Sequence, residues 1–242
     1  MTDIIFGPIN SRRLGRSLGI NLTPHKTCNL DCVYCECGKT TDLTNTRKDF
    51  YPLQTILDEL DKTLKQIGKV DYITFSGHGE PSLYKDIKKL VKEIKKAHPD
   101  VKLAALTNAT LFTDKDVFDA FLEADLVLPS VDSVLKDSFN KINRPHPGLN
   151  LDDMLSSLLN FRKVYKGKFW AEVFICPGIN DTQKELSAIA EYLKKLKPEK
   201  VQVNTLDRAP TEAWVKAPDQ ASIDRVMDAF KDFDVDLVLR KK

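Results

Sequence analysis

Tyr72-Ile73-Thr74-Phe75-Ser76-Gly77-His78-Gly79-Glu80-Pro81 reads as a short apolar strand running straight into a glycine-bearing loop. Segments of helical period flank it. Upstream, Leu53, Ile56, Leu57, Leu60, Leu64 and Ile67 recur on one helix face, begun by Pro52. Downstream, Leu83, Ile87, Leu90, Val91 and Ile94 do the same and stop before Pro99. The alternation continues outward in both directions. Strands are predicted at 18–22, 101–107, 126–128, 169–175, 201–203 and 235–239. Between the later ones lie helices striped by Val117 and Phe121, by Met154 and Leu158, by Leu186 and Ile189, and by Ile223 and Val226. Such repetition implies parallel strands joined by right-handed helical crossovers. It leaves an open Rossmann-like sheet or a complete or partial (β/α) barrel. About six parallel strands, with one extra at most, are too few for a closed eightfold barrel. The expected fold is therefore α/β, a partial (β/α) TIM-like barrel forming a single domain over residues 1–242.

Composition sets bounds on function. The chain has 242 residues, of which 42% are hydrophobic and 30% charged, enough for an ordinary core without disulfide or metal staples. A net charge of +2 gives none of the basic excess expected of a dedicated nucleic-acid binder. No run approaches the roughly 20 apolar residues that a membrane helix needs. The start, Met1-Thr2-Asp3-Ile4, lacks a basic region followed by an apolar one, so no signal peptide is predicted. These readings predict a cytoplasmic protein with no membrane partner.

The strands tend to end on polar or glycine residues: Ser76-Gly77, Thr107-Asn108, Ser130 with Asp132, and Asn204. Ligands of parallel α/β folds bind at the carboxyl ends of strands, so these positions are expected to converge on one site.

Five cysteines are present, and four fall between Cys28 and Cys37, too close together for a disulfide framework. Such a cluster reads as a metal site. Cys28-Asn29-Leu30-Asp31-Cys32-Val33-Tyr34-Cys35 has the spacing C-x3-C-x2-C. Three thiolates on one loop can hold three irons of a cubane and leave the fourth open to a ligand. Adding Cys37 would give the four thiolates of a structural zinc site. Zinc sites usually pair two separate loops, however, so Cys37 is expected to lie outside the ligand set.

This spacing, with Tyr34 just before the last cysteine, resembles the radical S-adenosylmethionine (SAM) superfamily. Ser76–Pro81 resembles that superfamily's Gly-Gly-Glu-Pro segment, with His78 between the glycines. Thr107-Asn108-Ala109 resembles its Thr-Asn-Gly segment, and Pro177-Gly178-Ile179-Asn180-Asp181 is also similar to a family segment. The resemblance implies a [4Fe-4S] cluster on Cys28, Cys32 and Cys35. It implies SAM contacts from Tyr34, Gly77, Gly79, Glu80, Asn108, Ser130 and Asp132, with Val173 or Ile175 beside the adenine. The implied chemistry is reductive cleavage of SAM to a 5′-deoxyadenosyl radical that takes hydrogen from a substrate. The electron would come from a one-electron donor such as flavodoxin or ferredoxin. His78 is read as packing.

Residues 6–19, Ile142-Asn143-Arg144-Pro145 and Asn204-Thr205-Leu206-Asp207-Arg208 resemble the branch grouped with wyosine-base tRNA synthases. A tRNA base is therefore one substrate class that the resemblance implies. Those synthases carry a second cluster on upstream cysteines. Here no cysteine precedes Cys28 and Cys176 stands alone downstream, so a second cluster is not expected. Arg12, Arg13, Arg16, Arg144, His146 and Arg208 are candidates for an anionic substrate or the SAM carboxylate, since guanidinium donates paired hydrogen bonds. The rival readings are a glycyl-radical-type activating enzyme and a non-catalytic iron–sulfur or zinc scaffold.

Overall fold

The computed structural model describes residues 4–11 and 13–238. In chain order it contains β1 (Ile5–Ser11), β2 (Gly15–Ile20), the two-residue strands β3 (Thr27–Cys28) and β4 (Asp42–Leu43), α1 (Leu53–Ile67), β5 (Tyr72–Phe75) and α2 (Ile87–Ala97). There follow β6 (Lys102–Thr107), α3 (Lys115–Leu122), β7 (Leu126–Pro129), α4 (Lys136–Asn143), α5 (Leu151–Val164), β8 (Lys168–Phe174), α6 (Gln183–Leu196), β9 (Lys200–Asn204), α7 (Gln220–Ala229) and β10 (Val235–Val238).

The main sheet has the order β1-β2-β5-β6-β7-β8-β9-β10. From β2 to β10 every pairing is parallel and follows chain order, while β1 pairs antiparallel with β2. Among the described residues β1 and β10 remain as edges and the sheet does not close. The expected partial barrel is thus present, with seven parallel strands and one antiparallel addition. Leu239, expected in the last strand, and Arg12 lie outside the described residues.

The strands bury one face under the helices. Leu18, Ile73, Leu103, Val127, Val173 and Val201 belong to one continuous apolar core with Ile56 and Leu60 of α1 and Leu186 and Ile189 of α6. Each fully buried side chain of this size contributes about 1.5–3 kcal/mol. Helix starts are capped by polar side chains: Asp114 for α3, Asn150 for α5, Thr182 for α6 and Asp219 for α7 accept hydrogen bonds from the first turn.

Besides the two-residue β3 and β4, two elements escape the sequence patterning. β1 contains Gly7 and Pro8, both disfavoured in strands, and its register shifts between Phe6 and Ile9. It survives because an edge strand tolerates a missing ladder donor. α4 is polar over most of its length and buries only Ser138, Phe139, Ile142 and Asn143, too short a stripe to stand out.

Candidate active site

The carboxyl ends of the parallel strands open onto a cavity of about 690 Å³. Its wall includes Ser76 and Gly77 after β5, Thr107 and Asn108 at β6, Ser130 after β7, Glu172 and Phe174 of β8, and Asn204 at β9. The convergence expected from the polar strand ends is therefore observed. Of the residues expected to contact a cofactor, Tyr34, Gly77, Gly79, Glu80, Asn108 and Ser130 line this cavity, as does Cys35. Asp132 does not.

The cysteine loop leaves β3 and folds over the mouth of the barrel. Each of its first three thiols meets a nitrogen donor. Leu30 N and Asn108 Nδ2 lie 3.5 and 3.8 Å from Cys28 Sγ, Asn143 Nδ2 lies 3.4 Å from Cys32 Sγ, and Lys26 Nζ lies 3.1 Å from Cys35 Sγ. Burial pushes the Cys28 thiol up to about 12 and Cys32 well above its usual value. Cys35 is instead pulled down to about 5, first by a hydrogen bond from Cys37 and then, against burial, by the charge of Lys26. Iron bound to these sulfurs would supply the positive charge that burial otherwise lacks. Among the described residues no three His, Cys, Asp or Glu side chains gather around one point as a single ion demands. A cubane instead spreads its thiolates over separate irons, so three thiols on one loop, each with a donor nearby, fit a [4Fe-4S] cluster. Cys37 sits beside this set, with its Sγ 3.9 Å from Gly77 O.

The glycine loop is docked on the cysteine loop. A Cβ on Gly79 would lie 2.0 Å from Thr27 O, and one on Gly77, whose φ is +139°, would lie 2.4 Å from Asn21 Oδ1. The glycines are thus required by contact with protein backbone and side chain. His78 N donates to Asn21 Oδ1 at 3.2 Å, and His78 O accepts from Lys26 N at 3.2 Å. The His78 ring lies with its Nδ1 3.3 Å from Asn21 Nδ2 and its centroid 5.0 Å from that of His25.

Glu80 follows directly and is 3% exposed. Its Oε1 accepts from Ser82 N, Ser82 Oγ and Thr107 Oγ1, and its Oε2 accepts from Asn108 N at 2.8 Å. Burial still pushes its carboxyl up, with these hydrogen bonds opposing. Asn108 is held further by Asn29 Oδ1, to which its Nδ2 donates at 2.6 Å. Ala109, where the family carries glycine, adopts a left-handed φ of 61°.

Asp132, expected as a SAM contact, lies behind the cavity wall. It is buried, and its carboxylate accepts from Tyr34 OH at 2.6 Å, Asn143 Nδ2 at 2.7 Å and Phe174 N at 2.9 Å. It fixes Tyr34, whose ring stacks on Phe174 at 3.9 Å between centroids. Burial, against those bonds, holds its carboxyl up at about 6. Ser130 faces the cavity instead. Val173 and Ile175 also point the other way, into the core under the helices, while Glu172 and Phe174 face the cavity. The register of β8 is offset by one from the apolar reading. Asn180, in the segment expected near adenine, spends its side chain on the Asp132 and Phe174 carbonyls.

Sequence reasoning missed how the far wall is built. Arg13 Nη1 reaches Glu172 Oε2 at 2.7 Å and Gln202 Oε1 at 2.9 Å. Arg208 Nε lies 3.3 Å from Glu36 Oε2, tying the segment after β9 to the cysteine loop. Arg13 and Arg208 both line the cavity. Arg16 donates to the Lys69 and Ile67 carbonyls and Arg144 pairs with Glu212, so both are engaged in structure. His146 Nδ1 accepts from Gly148 N. The segments 142–145 and 204–208 both clasp the cysteine loop: Val33 N donates to Ile142 O, and Arg208 N donates to Glu36 Oε1. Cys176 is 1% exposed and packs with Val33, Ile142 and Phe174.

Comparisons with known proteins agree with this architecture. S. suis SuiB bound to S-adenosylmethionine superposes with a TM-score of 0.68 at 15% identity, over 91% of this chain and 50% of that one. TYW1 with a lysine-pyruvate adduct bound gives 0.61 at 13%, over 90% and 74%. Both are likenesses of fold. In sequence, a Brachyspira hyodysenteriae protein named GTPase Obg is 39% identical over 95% of this chain but only 34% of its own length. A UPF0026 protein of Methanocaldococcus jannaschii is 38% identical over 95% of this chain and 71% of its own. This chain thus spans about a third of one relative and over two thirds of the other. Residues 22–193 match the Radical SAM superfamily. That stretch takes in all five cysteines and the glycine loop, and the chain belongs to the radical SAM superfamily, whose enzymes work with a [4Fe-4S] cluster and S-adenosylmethionine.

Proposed function

We propose that this chain holds its cluster on Cys28, Cys32 and Cys35 and cleaves SAM reductively in the cavity below them. The observation that carries the reading is a loop bearing three thiols, one of them lining the cavity, beside a buried carboxylate and strand-end polar groups at one mouth of the barrel. When bound, the reduced cluster supplies the electron that splits a carbon–sulfur bond of SAM, giving methionine and a 5′-deoxyadenosyl radical for hydrogen abstraction.

The protein's part is binding and orientation. Oε1 of Glu80 takes three donors but Oε2 only one, which leaves Oε2 an acceptor for the ammonium of the methionine moiety. Ser130 supplies a polar contact at a strand end, while Asn108, its amide spent on Asn29, Cys28 and Thr110, shapes the wall beside it. Tyr34, fixed by Asp132 and stacked on Phe174, covers the cavity beside Cys35 and keeps water from the reacting bond. An external one-electron donor of the flavodoxin or ferredoxin class completes the system.

For the substrate, a base of tRNA rests on the resemblance of residues 6–19, 142–145 and 204–208 to the wyosine-base synthase branch, while the mixed charges of the rim provide no continuous basic track for phosphates. Anaerobic reconstitution with iron and sulfide, followed by dithionite and SAM, is expected to yield 5′-deoxyadenosine. No product above a cluster-free control would remove the reading. Modified-nucleoside profiling of a deletion strain tests the tRNA substrate: an unchanged nucleoside profile rejects it.

A further inference from the structure

Lys26 is a lysine buried to 3% exposure, two residues before the first cysteine. Its backbone is pinned on both sides. The N–H donates to His78 O at 3.2 Å, and the carbonyl accepts from Thr41 N and Asp42 N at 3.1 and 3.2 Å, with φ at 57°. The glycine loop and the return of the cysteine loop therefore dictate where its side chain points. The ammonium lies 3.1 Å from Cys35 Sγ. Among the described residues no Asp or Glu forms an ion pair with it; the chargeable groups acting on it are Cys35, Cys28 and Cys37. A buried ammonium without a counter-charge is costly. Among the described residues it is the sulfurs of the cysteine loop, Cys35 nearest, that are placed to offset it.

We infer that Lys26 is a positioning residue that raises the reduction potential of the cluster through its hydrogen bond to Cys35. This rests on the cluster assignment above. In reduction one electron leaves the external donor and enters the iron–sulfur core, which gains one negative charge. No proton moves, and the ammonium stays charged. A fixed positive charge at a ligand sulfur favours the more negative, reduced state, and hydrogen bonds to sulfur are among the determinants of iron–sulfur potentials.

The test compares reconstituted wild type with Lys26→Met, Lys26→Gln and Lys26→Arg. All keep a side chain at this position, so the left-handed backbone is equally strained in each. Iron and sulfide content is measured first, then the midpoint potential by electron paramagnetic resonance during dithionite titration. The neutral variants are expected to hold wild-type iron with the reduction equilibrium weakened about tenfold, a shift of about 59 mV for one electron. Lys26→Arg is expected to stay near wild type. A neutral variant with full iron and an unshifted potential overturns the inference. If neither neutral variant loads iron, Lys26→Arg decides: full iron at the wild-type potential supports the inference, and full iron with a tenfold displacement rejects it. Wild type that loads no four-iron cluster overturns the cluster assignment instead.

Discussion

The two walls of the cavity are held together in different ways. On the β5–β7 side the buried carboxylates are fixed by the protein itself: Glu80 receives four donors, three of them on Oε1, and Asp132 receives three. Across the cavity, β8 and the segment after β9 rely on partly exposed ion pairs, Arg13 with Glu172 and Arg208 with Glu36. A buried network this densely hydrogen-bonded is rigid and suits a ligand of constant shape. Partly exposed pairs contribute little stability and exchange partners readily. On the function proposed above, the first wall takes the cofactor and the second the substrate.

The contrast can be broken most severely at the loop that both walls share. Cys28→Ala is expected to abolish iron binding and SAM cleavage while leaving the circular dichroism spectrum and unfolding midpoint close to wild type, because the Cys28 side chain is only partly buried. Next in size is Glu80→Ala, which strands buried donors on Ser82, Thr107 and Asn108. At about 1–3 kcal/mol for each unsatisfied group, a loss of about 3 kcal/mol or more is expected in urea unfolding. An equal truncation of Glu172, on the ion-paired wall, should cost less than about 1 kcal/mol.

Asp132 offers a test by pH. Burial holds its carboxyl at about 6 in the folded chain, above the ordinary 3.8, so the native state binds this proton more tightly than the unfolded chain. Its contribution to stability is fully present below about pH 3.8 and is lost as pH rises through about 6. Each tenfold difference in proton affinity between the two states is worth about 1.4 kcal/mol, so wild type should lose about 3 kcal/mol from this group over that window. Asp132→Asn should lack that part of the slope, and parallel pH profiles of the two in urea unfolding would refute the assignment. The smallest effect is expected of Ser130→Ala. Ser130 lines the cavity, so SAM affinity should fall about 3- to 10-fold with no change in unfolding midpoint.

The wall built on buried carboxylates was also the legible one. Its chemistry is local: three cysteines within eight residues, two glycines before Glu80, and polar residues at strand ends are all spacings along the chain. What was hidden depends on distance or register. Arg13 meets Glu172 across 159 positions, and nothing near either residue announces the pair. In 169–175 apolarity singled out Val173 and Ile175. The informative residue was Glu172: a charge within a strand buried on its helix side must face the lumen, and Phe174 shares its face. Asp132 was misplaced because alternation stops with β7 at Pro129, after which the chain turns the carboxylate inward to Tyr34 and Asn143. β1 was hidden by Gly7 and Pro8, although it supplies one edge of the cavity through Ile9 and Asn10.

The central claim is a three-thiolate cluster with one iron open toward the cavity, closed by SAM. The most direct measurement is electron–nuclear double resonance on the reconstituted, reduced wild-type protein with SAM labelled by ¹⁵N at the amino group and ¹⁷O at the carboxylate. The account predicts hyperfine coupling from both labels to the cluster. A loaded, reducible cluster that shows neither coupling at saturating SAM would contradict it.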